Sequence, residues 1–286
     1  MRILARLIAV FCLIGLAGSL AGAWHPAGDS LAVFRPALAV ALLLTAPVLR
    51  GRAGLAASAV ALVALAPILW DLWRPVQGPA NGIVVYQKNL RFDLADPAPI
   101  IADIRASGAG IVFLEEVSRR NLAVSERLKA GLPYQLICPG DTTGAIAILS
   151  RWPLDRRDCV PKSGLASARA RTPMGAVSVA VLHLTWPWPY GQAAQLDTLM
   201  PKIRGIAQPA LVGGDFNMVP WSRAVRAIAS ATGTAPLGPL RTTFMLKGIY
   251  PMAIDHVLIP RGWAGRGGTR PRLGSDHRGV LTRIGP

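Results

Sequence analysis

Gly213-Gly214-Asp215-Phe216-Asn217-Met218-Val219-Pro220 follows a short apolar run, 210–212, in a chain of 286 residues. The run reads as a strand, so Asp215 and Asn217 stand at a strand end, where a rigid scaffold holds polar side chains and still exposes them. Alone, the stretch has a plainer reading: an Asx-turn in which glycine supplies a positive φ and the polar side chains bond local backbone. Its recurrence argues against that. Asn89 follows a strand in Tyr86-Gln87-Lys88-Asn89, and Glu115 and Glu116 end one in Phe113-Leu114-Glu115-Glu116-Val117. His183 ends another in Val181-Leu182-His183-Leu184, Asp255 opens Asp255-His256-Val257, and Ser275-Asp276-His277-Arg278 precedes the last apolar run. Singly, a Glu after a strand is a solvated edge residue, Ser275-Asp276 a helix cap, and His183 a core histidine. Together they meet the needs of phosphoryl chemistry: oxygen ligands for a hard divalent cation, a base that positions water, and donors for phosphate oxygens.

Around these residues, strand and helix signals alternate from residue 82 onward. Strands are expected at 82–86, 110–114, 134–138, 145–149, 176–184, 210–212, 254–259 and 279–284, and helices at 100–106, 119–130, 192–206 and 222–231. Several consecutive strands in mid-chain point to an α/β fold of two sheets with helices outside, rather than one doubly wound sheet.

In this order the motifs resemble the endonuclease/exonuclease/phosphatase superfamily, which includes DNase I-like nucleases, apurinic/apyrimidinic endonucleases, inositol polyphosphate phosphatases and sphingomyelinases. The resemblance runs from about residue 82 to 284. It is carried by Gly214-Asp215-Phe216-Asn217 with its trailing Met218-Val219-Pro220, by Ser275-Asp276-His277, by Glu115-Glu116 where the family usually has Gln-Glu, and by Ala145-Ile146-Ala147-Ile148-Leu149-Ser150-Arg151-Trp152-Pro153. It implies a DNase I-like four-layer α/β/β/α sandwich with its site at one mouth of the two sheets, and Mg²⁺ or Mn²⁺ as cofactor. By the same resemblance Asn89, Glu116 and Asp276 form the metal shell. Asp215 orients or deprotonates the attacking water, and Asn217 fixes it and contacts phosphate. His277, oriented by Asp255, donates to a phosphate oxygen, and His183 is a second phosphate contact. Two family features have no match: a mid-chain tyrosine that holds phosphate, and an acidic partner for His183, for which Asp141 is the nearest idea. His256 is read as structural. Thr185-Trp186-Pro187-Trp188-Pro189-Tyr190 is a substrate-side wall, a membrane-surface contact or a simple rigid loop.

The first 73 residues differ in kind, with only Arg2, Arg6, Asp29, Arg35, Arg50, Arg52 and Asp71 charged. Three apolar stretches, 3–20, 31–49 and 53–73, approach the roughly 20 residues that cross a bilayer, so about three transmembrane helices are expected in 1–74. A linker then spans 75–81 and a catalytic domain 82–286. Trp70 and Trp73 end the third stretch as interfacial anchors, and Arg35 with Pro36 interrupts the second. By the positive-inside rule Arg2, Arg6, Arg50 and Arg52 are cytoplasmic, which places the catalytic domain on the outer, periplasmic side of an inner membrane. Ala21-Gly22-Ala23 also resembles a signal-peptidase site.

The chain carries 31 Lys+Arg against 15 Asp+Glu; 25 and 13 of these, a net +12, fall in residues 75–286. Such a surplus suits polyanionic partners, nucleic acid or lipid-linked phosphate alike, and equally a basic, soluble surface. The three cysteines lack metal-ligand spacing, which argues against zinc; Cys138 and Cys159 could pair in an oxidising compartment. The functional expectation is a membrane-tethered, divalent-metal-dependent phosphoester hydrolase acting on nucleic acid or on a lipid-linked phosphate or pyrophosphate. A non-catalytic, membrane-tethered polyanion-binding module is the alternative.

Overall fold

A computed structural model describes residues 2–79 and 81–286; Met1 and Ala80, the latter inside the expected linker, lie outside the described residues. The N-terminal region holds α1 (Arg2–Gly18), a 3₁₀ turn (Ala21–Ala23), α2 (Ala27–Val33), α3 (Arg35–Leu49) and α4 (Gly51–Trp73). There follow β1 (Ile83–Asn89), α5 (Ala98–Ser107), β2 (Ile111–Val117), α6 (Ala123–Leu128), β3 (Tyr134–Asp141), β4 (Gly144–Ser150), β5 (Leu154–Val160), β6 (Leu165–Thr172) and β7 (Gly175–His183). The chain ends with α7 (Gln192–Arg204), β8 (Ala210–Asp215), α8 (Arg223–Ala231), β9 (Thr234–Pro236), β10 (Phe244–Leu246), β11 (Tyr250–Met252), β12 (Asp255–Pro260), β13 (Ala264–Arg270) and β14 (Gly279–Gly285).

Two six-stranded sheets form, ordered β13-β14-β1-β2-β4-β3 and β5-β6-β7-β8-β12-β9, with β10 and β11 as a separate hairpin. Strand alternation builds the layers, because successive side chains point to opposite faces. Val85, Ile111 and Phe113 face Val179, Val181, Leu211 and Val257 in the core between the sheets. Their neighbours Tyr86, Val112 and Leu114 face outward and are covered by Ile100 and Ile104 of α5 and Val124 and Leu128 of α6. Ala180, Leu182 and Val212 face outward on the second sheet, beneath Leu196 and Leu199 of α7 and Val225 and Ile228 of α8. The result is the four-layer α/β/β/α sandwich. β1–β2 and β7–β8 are parallel pairs whose crossovers contain α5 and α7, so both pairs end at the same mouth.

β5, β6 and β13 carry no clear strand signal. Leu154-Asp155-Arg156-Arg157-Asp158 is mostly charged, β6 alternates Ala with Ser and Arg, and β13 is glycine-rich. They are strands because neighbours supply the ladder, a tertiary decision that outweighs propensity. The helix expected over 119–130 is only α6, six residues long.

The N-terminal region departs from three spanning helices. Among the described residues only α4, with 23 residues, is both long and apolar enough to cross a bilayer; α2 and α3 pass that test only as a pair, bent by 63°. The stretch 31–49 breaks at Phe34. There Pro36 starts a new helix, while Arg35 is turned inward to donate to Ser19 O (2.6 Å) and Ser19 Oγ (3.0 Å). Proline lacks the N–H that a continuous helix would need. α1, α3 and α4 pack through small residues, among them Ala9, Ala39, Ala57 and Ala61, as helices do when backbones must approach closely.

α2 belongs to the sandwich as much as to this bundle. Ala32 and Val33 are buried in the core outside the second sheet. Asp29 accepts from the backbone N–H of Arg223 (2.7 Å) and Ala224 (3.0 Å) at the start of α8. Trp221 Nε1 donates to Ala32 O and Tyr250 Oη to Val33 O. At the C-terminus of α4, Leu240 N donates to Asp71 O at 2.7 Å. The N-terminal helices are thus fastened to the sandwich at two points, through α2 and through the end of α4.

Candidate active site

Strand register brings the polar residues together. On adjacent strands His183 lies opposite Asp215, and Asp215 opposite Asp255; on the first sheet Asn89 lies opposite Glu115. The two glycines before Asp215 make this packing possible. A Cβ on Gly213 would collide with the Phe113 ring of the facing sheet, and one on Gly214, whose φ is 149°, with the Leu182 carbonyl.

Glu115 and Glu116 part company at a β-bulge. The β2–β4 register shifts between Leu114 and Val117, and Glu116 takes a positive φ of 58°. A bulge re-aims a side chain: Glu116 turns into the cleft while Glu115 stays fully buried between the sheets. Asn121 pins the bulge by donating to Glu116 O (2.9 Å) and Arg91 O (3.2 Å). Asn217 also has a positive φ, 49°. Non-glycine residues pay for that conformation, and such positions gather at functional sites.

The resulting cleft, about 480 Å³, is lined by Glu116, His183, Asp215, Asn217, Asp276 and His277, with Trp186 and Phe244 as its apolar wall. Asn89 sits beneath it, fully buried. Its amide donates to Glu116 Oε1 and Asp215 Oδ2, both at 3.0 Å, tying the two sheets together, while its Oδ1 accepts from Arg91 N at 2.9 Å. Both polar ends of Asn89 are therefore engaged by protein. Asn217 is similarly held: its amide donates to Leu184 O at 2.7 Å, and its backbone N–H donates to Asp215 Oδ1 at 2.9 Å.

His277 Nδ1 lies 2.9 Å from Asp255 Oδ2, and its Nε2 lies 3.7 Å from Asp215 Oδ2. His183 Nε2 is 3.9 Å from both Glu116 Oε1 and Asp215 Oδ2, beyond hydrogen-bonding distance. The carboxylates nearest His183 are thus those of the site itself.

Two buried residues outside the expected set organise the site. Gln87 Nε2 donates to Glu115 Oε2 (2.7 Å) and Asp255 Oδ1 (3.1 Å), bridging the sheets behind His277. The fully buried Lys88 donates to the carbonyls of Pro271 (3.3 Å), Arg272 (2.8 Å) and His277 (2.6 Å), fixing the loop that carries Asp276 and His277. Their sequence signal was faint: a Gln and a Lys directly after the apolar Ile83-Val84-Val85-Tyr86 of β1. Ser275 completes the loop, donating to Asn89 O and accepting from His277 N.

Burial and carboxylate crowding shape the electrostatics. Desolvation works against a charged His277, but Asp255, Asp215 and Asp276 outweigh it and hold its pKa up to about 10. Burial raises Asp215, with His277 pulling the other way. It also raises Glu116, despite donors from Asn89 and Phe92. Burial, then the charge of His277, lowers His183 to about 4, so its ring is neutral at pH 7. Among the described residues, Glu115, Glu116, Asp215 and Asp255 have no Lys or Arg partner. That surplus of desolvated oxygen donors fits a hard divalent cation. Asp215, Asp255 and His277 bring ligand atoms within 4.8 Å of one another, but Asp255 and His277 already satisfy each other. Glu116 and the exposed Asp276, which line the same cleft, suit a cation better.

His256 is structural: Nε2 bonds Met218 O at 2.7 Å and the ring packs on Phe216. In the Trp-rich loop, Trp186 packs on Phe244, Ser30 donates to Trp188 O (2.6 Å), and His25 meets the Trp188 ring. This edge of the cleft therefore touches the α2 end of the N-terminal bundle. Cys138 and Cys159 form a disulfide between β3 and β5.

Residues 86–277 match the model of the Endonuclease/Exonuclease/phosphatase family. Similar solved structures include an endonuclease/exonuclease/phosphatase family protein from Leptotrichia buccalis C-1013-b, at TM-score 0.56 and 12% identity over 71% of this chain and 100% of that one. Truncated Caenorhabditis elegans TDP2 aligns at TM-score 0.55 and 18% identity, covering 71% and 97%. A Staphylococcus aureus beta toxin variant with bound magnesium ions aligns at TM-score 0.54 and 12% identity, covering 71% and 99%. At these identities the likeness concerns the fold. Comparison with curated proteins finds no match.

Proposed function

The chain belongs to the endonuclease/exonuclease/phosphatase family, and on that premise we propose that it is a membrane-tethered, divalent-metal-dependent phosphoester hydrolase acting on a lipid-linked phosphate or pyrophosphate. The observation that carries the hydrolase reading is the Asp255–His277–Asp215 arrangement, facing Glu116 and Asp276 across one cleft. A scaffold that had kept only polyanion binding would have no reason to hold these groups together.

Glu116 and Asp276 would hold Mg²⁺ or Mn²⁺, with Asn89 fixing the Glu116 carboxylate. When bound, the cation would neutralise charge on the phosphoryl oxygens. Asp215, raised by burial, is suited to orient water and accept its proton. Asn217, whose backbone holds Asp215, keeps that carboxylate aimed. His277 is kept cationic by Asp255 and donates through Nε2 to a phosphoryl oxygen as negative charge develops there. The neutral His183 provides a second contact.

The substrate class rests on the setting. Besides His277, the described residues that line the cleft include one Lys, Lys162, and no Arg; a protein that tracks a nucleic-acid backbone lines its groove with several. The positive charge lies elsewhere, and the cleft edge touches the N-terminal bundle through Ser30 and Trp188. In this reading residues 1–74 are the tether, 75–81 the connection and 82–286 the catalytic domain, held on the periplasmic side of an inner membrane. The Cys138–Cys159 disulfide supports an oxidising compartment.

The test measures hydrolysis of bis-p-nitrophenyl phosphate, p-nitrophenyl phosphate, DNA and a polyprenyl pyrophosphate, with Mg²⁺ or Mn²⁺, by wild type, Asp215→Ala and His277→Ala. Metal-dependent activity on the lipid, lost in both variants, is the expected result. Activity on DNA alone would replace the substrate, and activity on none would remove the enzyme. Alkaline-phosphatase fusions at Arg74 test the topology; low activity there would reverse it.

A further inference from the structure

We propose that the chain carries a second anionic site, apart from the catalytic cleft, in which an anionic phospholipid of the surrounding bilayer sets its phosphate among Arg241, Arg272 and Arg278 and its acyl chains in a groove beside α3 and α4. The proposal rests on reading α4 as membrane-spanning, and not on the catalytic substrate.

The three arginines line one pocket of about 490 Å³, together with the hydroxyl-bearing Thr242, Thr243 and Thr269. Among the described residues none of the three forms an ion pair; the acidic residues that do bond an arginine take Arg74, Arg91, Arg171 or Arg270. Cations gathered in a pocket without a counter-charge repel one another, and an anion bound there relieves that repulsion. The planar guanidinium group matches phosphate geometry.

Thr242 and Pro251 also line a second cavity of about 500 Å³, so the two meet. That cavity is apolar, walled by Ala37, Val40 and Leu44 of α3, Leu72 of α4, and Trp221 and Tyr250 of the sandwich. It lies at the end of α4 that bears Trp70 and Trp73, 67% and 78% exposed, as residues of a membrane–water boundary are. Apolar groove and arginine pocket therefore follow one another in the order of a lipid's chains and headgroup.

The catalytic cleft is on the other side of the β10–β11 hairpin. Phe244 lines the cleft and packs on His277 with ring centroids 4.8 Å apart, whereas its neighbour Met245 lines the arginine pocket. Adjacent residues of a strand face opposite ways, so the hairpin separates the two sites.

The test uses the full chain, purified in a neutral detergent and titrated with phosphatidylglycerol, phosphatidylcholine or glycerol 3-phosphate, with bound lipid read by native mass spectrometry. Wild type should retain phosphatidylglycerol at least tenfold more tightly than phosphatidylcholine, and millimolar glycerol 3-phosphate should not displace it. The triple variant Arg241→Gln, Arg272→Gln, Arg278→Gln should lose that preference. Ala37→Trp, which fills the groove, should weaken both lipids at least tenfold while its unfolding midpoint stays within a few degrees of wild type. Equal retention of the two lipids by wild type, or an undiminished preference in the triple variant, would overturn the proposal. Displacement by glycerol 3-phosphate, or full lipid binding by Ala37→Trp, would overturn it too, leaving a phosphate pocket that does not use the groove.

Discussion

His277 stands between two carboxylates of neighbouring strands, with Nδ1 2.9 Å from Asp255 Oδ2 and Nε2 3.7 Å from Asp215 Oδ2. Because its pKa is raised to about 10, the stabilisation it contributes is complete below its ordinary value near 6.5 and is lost as pH rises through about 10. In the metal-free protein, NMR of the ring should show His277 charged at pH 8. In Asp255→Asn it should be neutral there, and turnover should fall about 10²–10⁴-fold. An unchanged ring titration in that variant would remove Asp255 as the holder of the proton.

Asp215 is expected to trade stability for activity. An acid raised by burial opposes folding once pH exceeds its unfolded value of 3.8, and that penalty fades on acidification. Asp215→Asn should therefore raise the melting temperature of the metal-free protein at pH 8 while abolishing most turnover. A variant both inactive and markedly less stable would mean that the carboxylate is structural.

A divalent cation should stabilise the fold. At a hundred times its Kd, Mg²⁺ or Mn²⁺ would add about 2.7 kcal/mol by mass action, read as a rise in the calorimetric unfolding temperature. Glu116→Gln and Asp276→Asn should each shrink that rise. If instead only Asp255→Asn does so, the cation sits in the Asp215–Asp255–His277 cluster.

Lys88→Met should destabilise by about 1–3 kcal/mol, because the carbonyls of Pro271, Arg272 and His277 would lose their common donor. Chemical denaturation measures the loss. The loop bearing Asp276 and His277 would loosen, so kcat should fall with it.

Asp29→Ala removes the acceptor for the first N–H groups of α8 and should cost about 0.5–2 kcal/mol. Hydrolysis of a soluble phosphodiester should persist while hydrolysis of the membrane-borne substrate drops, since the cleft edge would no longer be fixed to the bundle. Equal losses on both substrates would show that α2 serves stability alone.

The eight expected residues could be singled out in the sequence because they stand at or just beyond strand ends in the order the family resemblance implies. The structure brings Glu116, His183, Asp215, Asn217, Asp276 and His277 into one cleft, with Asn89 beneath it and Asp255 behind His277. Strand alternation made the layered α/β fold legible. The polar strands β5 and β6 and the glycine-rich β13 were not, since their neighbours make them strands. Nor was the break at Phe34, where Arg35 folds back onto Ser19 and turns one apolar stretch into two helices.

What the sequence alone determined was the inventory: carboxylates, carboxamides and imidazoles at strand ends, and an apolar N-terminus rich in arginine at its turns. What only the tertiary structure decided was how they act on one another. The bulge that sends Glu116 outward and Glu115 inward, the Lys88 and Gln87 contacts behind His277, and the docking of α2 beside Trp188 all depend on close packing of segments distant in sequence. The physical reason is that desolvation and hydrogen bonding act over a few ångströms in space, whereas periodicity records only which face of its own element a residue occupies.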